Sequence, residues 1–529
     1  MSASSYLNRK TPGVYINEIP AFGNSIVGVP TAVPVFIGYT EFAADPVTGA
    51  SLLNTPVSIS SMVEFSQFFG GRPPVSFKVA LATTGNKPDF YAMATPSGGK
   101  SPTSNGYTLT YSSSASASSH FSLYWTMQLF FANGGGQCFV VSVGNYSGSI
   151  SKADLEMGLT QAGYATGPTM IVIPEACQLL DADYTVIAQG MLNQAATLQD
   201  RVAILDLPDC LIANTDGLLK TSQGTLETAI LPSAANLSYG AAYAPALNST
   251  IIDESDINYT NFKDDSGAIQ AILTTQADSI FANDSTNKTN IENIIKSAFP
   301  ASGADPAPST QEIIQNDNLL KRALPLYLRL KQLAANRMNV LPPSGAIAGV
   351  WTKNDNQRGV WNAPANMALA EVASPLYIMN NEEQAGFNLP TNGQSIGIIR
   401  AQPGRGNIVW GARTLDGNSG DYRYVQVRRT LIYIEQSIKL ALQQYVFDAN
   451  DATTWTQVVS SISSFLNGLW QQGGLMGSKP SEAYSVKCGL GSTMTAQNVL
   501  DGYMIVAVTL QMIHPAEFIE LTFTQTMSS

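Results

Sequence analysis

The chain has 529 residues, 44% of them hydrophobic and 13% charged, with a formal net charge of −11. That length exceeds a single core and fits about three domains. The acidic balance argues against nucleic acid as the main partner, and the sparse charge suits a protein that covers much of its surface with partners.

In chain order, "TPGVYINEIP" (11–20) is a short β-rich arm, and "IVGVPTAVPVFIG" is apolar but broken by Pro30 and Pro34. Neither fits a secretory signal or a membrane span, so no membrane insertion is expected. Residues 41–130 show few periodic runs and contain the Ser-rich "SPTSNGYTLTYSSSASASSH", which reads as loops and exposed strands. From residue 131 the character changes. "CFVVSVG", "PTMIVIPEA" and "RVAILDLPD" read as buried strands, separated by the helical stretches "SKADLEMGLTQA" and "DYTVIAQGMLNQAATLQ". Such alternation predicts an α/β layer with a largely parallel sheet.

Residues 245–320 carry eleven acidic side chains against three lysines, the pattern of a solvated outer face. Further on, Val427, Leu431, Ile434, Ile438, Ala441 and Tyr445 recur in steps of four and three, which places them on one helical stripe. Trp455, Val458, Ile462, Phe465 and Leu469 repeat the pattern, with Asp451 or Thr453 as N-cap and Gly473–Gly474 as the stop. Strands are expected at about 484–488, 503–513 and 517–525. The last shows two-residue alternation of Ile519, Leu521 and Phe523 against Glu520, Thr522 and Thr524. The four cysteines lie far apart without a CxxC pair, so buried reduced thiols are expected, with no disulfide framework and no zinc site.

Two stretches look catalytic and fail on context. "ATPSGGKS" (94–101) approximates a phosphate loop, but Pro102 follows at once where a helix should begin, so a surface loop is favoured. "GQSIG" (393–397) resembles a nucleophile elbow at Ser395, with Asp421 and His514 following in the Ser, Asp, His order of that hydrolase class. The elbow needs a strand before the serine and a helix after it, and here the sense is reversed. A serine hydrolase is thus the weaker alternative. No metal cluster, cofactor site or catalytic pair is expected. Between residues 400 and 439 seven basic side chains face three acidic ones. Arg413, Arg423, Arg428 and Arg429 are either paired within the chain or form a charged seam between subunits.

The sequence resembles contractile tail sheath proteins of myophage tails and phage-derived contractile injection systems. The resemblance is carried by "PPSGAIAGVWTKNDNQRGVWNAPAN" (342–366), the family's signature loop, and by "WGARTLDGNSGDYRYVQVRRTLIYIEQSIKLALQQYVFDAND", its long helix and lead-in. "FLNGLWQQGGLMG", "GYMIVAVTLQMIHPAEFIELTFTQ" and the N-terminal "TPGVYINEIP" add to it, with weaker echoes in "NGGGQCFVVSVG" and "AAYAPAL". Residues 41–130 and 251–320 match no known part of the family. The resemblance implies an α/β (α+β mixed), multi-domain subunit: an inner α/β domain built from both chain ends, a middle α/β domain and an outer insertion lobe. The corresponding segments are 1–40 (arm and start of the inner domain), 41–130 (a variable β-rich insertion), 131–341 (the middle domain, with 245–320 outermost) and 342–529 (the C-terminal inner domain with its terminal strand). It also implies a non-enzymatic homo-oligomer of stacked hexameric rings around an inner tube protein, with baseplate and terminal cap proteins as further partners. Such particles assemble in the bacterial or host cytoplasm as part of a phage tail or tail-like particle. The expected inter-subunit linking strands are Val14, Tyr15, Ile16 and Asn17 at one end, and Ile519, Glu520, Leu521, Thr522 and Phe523 at the other. Lys479, after the second helix, is the candidate inner-tube contact.

Overall fold

A computed structural model describes residues 26–83, 85, 87–95, 101–112, 120–264, 266–300 and 308–520. The chain divides into two compact units, 1–29 with 434–513, and 30–433 with 514–529. The division falls at Ile434, inside the helix Val425–Leu442.

The large unit is organised by a nine-stranded sheet in the order β13 (Met367–Ala368), β16 (Gly406–Val409), β15 (Ile396–Gln402), β9 (Gly240–Ala244), β8 (Val202–Asp206), β7 (Met170–Val172), β1 (Pro34–Thr40), β6 (Cys138–Asn145), β2 (Val57–Ile59). From β15 to β6 every pair is parallel, while β16, β13 and β2 are antiparallel additions at the two sides. The parallel strands are continuous apolar runs because both faces are covered. Every residue of β1, β7, β8 and β9 is buried. Along β1, Val35, Ile37 and Tyr39 enter one core and Phe36 the other. The first core contains Leu155 and Leu159 of the helix Lys152–Tyr164, Ile187 and Met191 of Asp181–Leu198, and Leu226 of Asp216–Ile230.

The second core packs two helices, Leu123–Ala132 and Ser344–Arg358. Glycine brings them together: a Cβ on Gly345 would lie 2.6 Å from the Thr126 carbonyl oxygen, and one on Gly349 would lie 2.5 Å from that of Phe130. The stretch expected to be a signature loop therefore begins as a helix, and its first seven residues, 344–350, are all buried. Both helices start against strand-end carboxylates. Glu175, just after β7, accepts from the backbone N–H groups of Ser122 and Leu123 at 3.1 and 3.2 Å, and from that of Tyr39 at 3.1 Å. Asp206, closing β8, accepts from the Ser344 backbone N–H at 2.9 Å and its hydroxyl at 2.5 Å. Negative charge at a helix N-terminus is favourable, but burial opposes it, pushing Glu175 up to about 8 and Asp206 up to about 7.

Residues 41–130 and 245–320 do not form separate layers. A four-stranded sheet in the order β11 (Phe262–Lys263), β3 (Ser76–Leu81), β5 (Thr103–Ser112), β4 (Phe90–Ala94) draws strands from both. Phe262 meets Phe77 with ring centroids 5.5 Å apart, and Arg72 pairs with Asp256 at 3.0 Å. The acidic segment is also more than a solvated face. Its helices Ala268–Ile280, Ser285–Ala298 and Thr310–Ala323 turn Ile269, Ile272, Leu273, Ile295 and Leu320 inward, against Tyr327 and Leu330 of the helix Pro325–Met338. Asp317 is paired there with buried Lys331 at 2.5 Å and with the Tyr327 hydroxyl. A small antiparallel sheet, β12 (Val340–Leu341), β10 (Leu247–Ser249), β14 (Val372–Pro375), completes this unit.

The smaller unit contains the helix Ala452–Gln471 and a hairpin of β17 (Tyr484–Cys488) and β18 (Val506–Leu510). Asp451 is the N-cap, accepting from Thr453 and Thr454 N–H at 3.0 Å each. The expected stripe is inside at Val458, Ile462 and Leu469, and Gly473 takes φ +79° just beyond the end. All four cysteines are free thiols, and Cys138, Cys177 and Cys210 are buried.

Candidate functional site

The candidate catalytic serine does not sit on a nucleophile elbow. Ser395 immediately precedes β15, so the strand comes after it, opposite to the elbow arrangement. The side chain is 1% exposed and its hydroxyl donates to the Asn388 carbonyl at 2.8 Å. Gly417 closes over it so tightly that an added Cβ would lie 1.8 Å from Ser395 Oγ. Asp421 is exposed, and His514 stands edge-on to Tyr424 with ring centroids 5.9 Å apart. In the approximate phosphate loop residues 96–100 lie outside the described residues, and the next element is the strand beginning at Thr103, not a helix. Among the described residues no cluster of His, Cys, Asp and Glu could hold a metal ion.

Of the four arginines considered for a seam, Arg413, Arg428 and Arg429 are buried and Arg423 is half-buried, and all four have partners within the chain. Arg428 is 6% exposed, with its guanidinium 3.9 Å from the Tyr422 ring centre and 4.2 Å from that of Tyr239, and it donates to Ser238 Oγ at 2.8 Å. Arg429 forks onto Asp355 at 3.0 and 2.6 Å, donates to the Thr31 carbonyl at 3.0 Å and lies over Trp351. The side chains of this pair are 3% and 2% exposed, so its charges are removed from water on both sides. Arg423 Nε donates to the Ser419 carbonyl at 2.7 Å. Charge counting finds the excess of basic groups in this stretch; it carries no sign of their burial or of these partners within the chain.

Arg413 builds the most elaborate polar site of the stretch. Its Nε and Nη2 fork onto the Glu517 carboxylate at 3.0, 3.1 and 2.6 Å, while Nη1 donates to the Gly417 carbonyl at 2.9 Å. The Tyr424 hydroxyl at 2.9 Å and Asn388 Nδ2 at 2.8 Å complete the set of donors around the same carboxylate. Burial pushes this carboxyl up, but the three donor side chains outweigh it and hold Glu517 below the usual carboxylate range. Sequence reasoning misses Glu517, because a lone Glu in an alternating strand offers no signal of a partner 104 residues away.

The expected linking strands are only partly placed. Val14, Tyr15, Ile16 and Asn17, and likewise Leu521, Thr522 and Phe523, lie outside the described residues. Ile519 and Glu520 are exposed and not in a strand. Lys479 is exposed at the start of the short helix Pro480–Ala483. Residues 503–513 are a strand only over 506–510, paired with β17 from Tyr484↔Leu510 to Cys488↔Val506. One face of this hairpin, Tyr484, Val486, Cys488, Val506, Val508 and Leu510, is half-covered; Ser485, Lys487, Ala507 and Thr509 on the other are exposed. No third strand pairs with either outer edge among the described residues. Around it Met476, Leu490, Leu500, Tyr503 and Ile505 are between 41% and 80% exposed.

Residues 418–526 match the phage tail sheath C-terminal domain family. The tail sheath protein of Burkholderia phage BcepMu is 28% identical over 158 residues, 29% of this chain and 33% of that protein. A putative prophage major tail sheath protein of Pseudomonas aeruginosa strain UCBPP-PA14 is 26% identical over 147 residues, 27% and 37% of the two chains. These matches span about a third of the length of those curated relatives. Among solved structures, the helical sheath of the anti-feeding prophage in its contracted state superposes with a TM-score of 0.57 at 24% identity, covering 98% of this chain and 100% of that one. The sheath complex of an extracellular contractile injection system, PVC, in its contracted state gives 0.55 at 24% identity, covering 98% of each. The mixed α/β fold is therefore that of contractile sheath subunits, and the resemblance to tail sheath proteins holds in both sequence and fold.

Proposed function

We propose that this chain is the structural subunit of a contractile tail sheath, polymerising helically around an inner tube and contracting to drive that tube through a target envelope. The observation that carries the reading is the β17–β18 hairpin. Two strands alone are marginally stable in water, and open edges invite pairing. In a subunit that polymerises, those edges are acceptors for strands donated by other copies. The donors are the terminal arms: Val14–Asn17 of one neighbour and Ile519–Phe523 of another. The exposed apolar side chains around the hairpin then become interface, and a head-to-tail contact that does not close on itself gives a helical stack of rings.

In this reading Lys479 and the turn that follows the Ala452–Gln471 helix face the inner tube, and baseplate and cap proteins occupy the ends of the stack. Contraction draws on energy stored when the extended lattice forms as a kinetically trapped state. The particle assembles in the cytoplasm of the producing cell. The test is truncation. Removal of residues 1–18 or of 517–529 should leave folded subunits that form no stable sheath, as judged by electron microscopy. Normal sheaths from both truncations would sink strand exchange.

A further inference from the structure

The arginine-rich stretch from 413 to 429 makes contacts within its own chain. It touches the chain near both ends. Arg429 donates to the Thr31 carbonyl at 3.0 Å, and the Thr31 hydroxyl donates to Asp355, the partner of Arg429, at 2.6 Å. Arg413 and Tyr424, paired across a short antiparallel bridge, grip Glu517. Each contact sits where cover ends. From Thr31 inward the chain enters the fully buried β1; before it Val27, Gly28 and Pro30 are exposed, while Val29 is half-buried and its N–H donates to Ser437 Oγ at 3.1 Å. Among the described residues Glu517 is the last that is half-buried, and Phe518 and Ile519 beyond it are 71% and 78% exposed.

We propose that residues 413–429 are a double anchor that fixes the roots of both terminal arms: Arg429 with Asp355 holds Thr31, and Arg413 with Tyr424 and Asn388 forms a carboxylate receptacle for Glu517 of the same chain. This rests on the strand-exchange reading above and adds to it where the free part of each arm begins. The physical benefit is entropic. A strand tethered at a fixed root searches a smaller volume for its acceptor than one loose from β18 onward, and ordering a segment in advance removes part of the cost of binding. The receptacle suits that task. Its short contacts all converge on a carboxylate held ionised by the donors themselves, and an Arg fork fixes direction as well as position.

The test uses the full chain and two substitutions that leave side-chain volume nearly unchanged, Glu517→Gln and Thr31→Val, with a control lacking residues 518–529. Amide hydrogen exchange, read by mass spectrometry on unassembled subunits, reports each root separately. Glu517→Gln is expected to speed exchange of 514–520 by about tenfold, the scale of losing a charge-assisted fork, and to leave 26–32 unchanged; Thr31→Val is expected to do the reverse. Assembly of Glu517→Gln should slow several-fold, and the control should not assemble. Unchanged exchange at 514–520 in Glu517→Gln overturns the anchor. So does faster exchange with assembly at the unsubstituted rate. If the control assembles normally, the C-terminal arm is not a needed donor, while the exchange data still decide whether Glu517 is held.

Discussion

The Arg429–Asp355 pair gives the most quantitative expectation. Replacing Asp355 with Asn keeps the volume and the acceptor for Thr31 but removes the charge opposite a guanidinium whose side chain is 3% exposed. Breaking a buried ion pair from one side costs about 3–5 kcal/mol, because the remaining charge stays out of water. Arg429 keeps its bond to the Thr31 carbonyl and its place over the Trp351 ring at 4.7 Å, so the lower end, about 3 kcal/mol, is expected. Arg429→Met leaves buried Asp355 with only the Thr31 hydroxyl, and about 4 kcal/mol is expected. The double variant Arg429→Met with Asp355→Asn removes both charges at once and should cost less than the two singles combined by about 2 kcal/mol or more. Urea unfolding followed by tryptophan fluorescence and by circular dichroism measures all three. A cost below about 1 kcal/mol for Asp355→Asn, or strict additivity of the cycle, would refute the account of this pair as a desolvated clamp.

Two further expectations concern buried polar groups. Glu175 and Asp206 have folded-state pKa values raised to about 8 and about 7, so the native state holds these protons more tightly than the unfolded chain. Their contribution is greatest below about pH 4 and is lost as pH rises through 7 to 8, with a slope of up to about 1.4 kcal/mol per pH unit for each group. Urea midpoints across that window should therefore fall with pH, and Glu175→Gln should flatten the dependence; a dependence that is the same in that variant contradicts the assignment. Ser395→Ala should cost about 1 kcal/mol for the lost bond to the Asn388 carbonyl, and it should leave both assembly and any background ester hydrolysis unchanged. Loss of hydrolysis in that variant would revive the serine as a nucleophile.

The elements legible in the sequence are those whose periodicity is local. The parallel strands declare themselves because burial on both faces leaves apolar runs, and the helix Ala452–Gln471 does so through its stripe, its Asp451 cap and its glycine stop. What the sequence hides is pairing over distance. β3 and β11 are separated by 180 residues or more, and no local pattern says that Phe77 and Phe262 share a core. The helix Ser344–Arg358 shows no amphipathic stripe because its first seven residues, 344–350, are all buried. The arginines of the candidate site are visible as charge, yet their roles depend on Glu517, Asp355 and two tyrosine rings contributed by other parts of the chain. The strand expected at 517–525 stays open in the same way. Its alternation is real, but residues 521–525 lie outside the described residues.

Electron cryomicroscopy of the purified chain, alone and with its inner tube protein, tests the central claim most directly. The account predicts hollow cylinders with a helical repeat, in which strands from other copies lie along the outer edges of β17 and β18. Discrete globular particles under every condition, or cylinders whose hairpin edges remain bare, would contradict it.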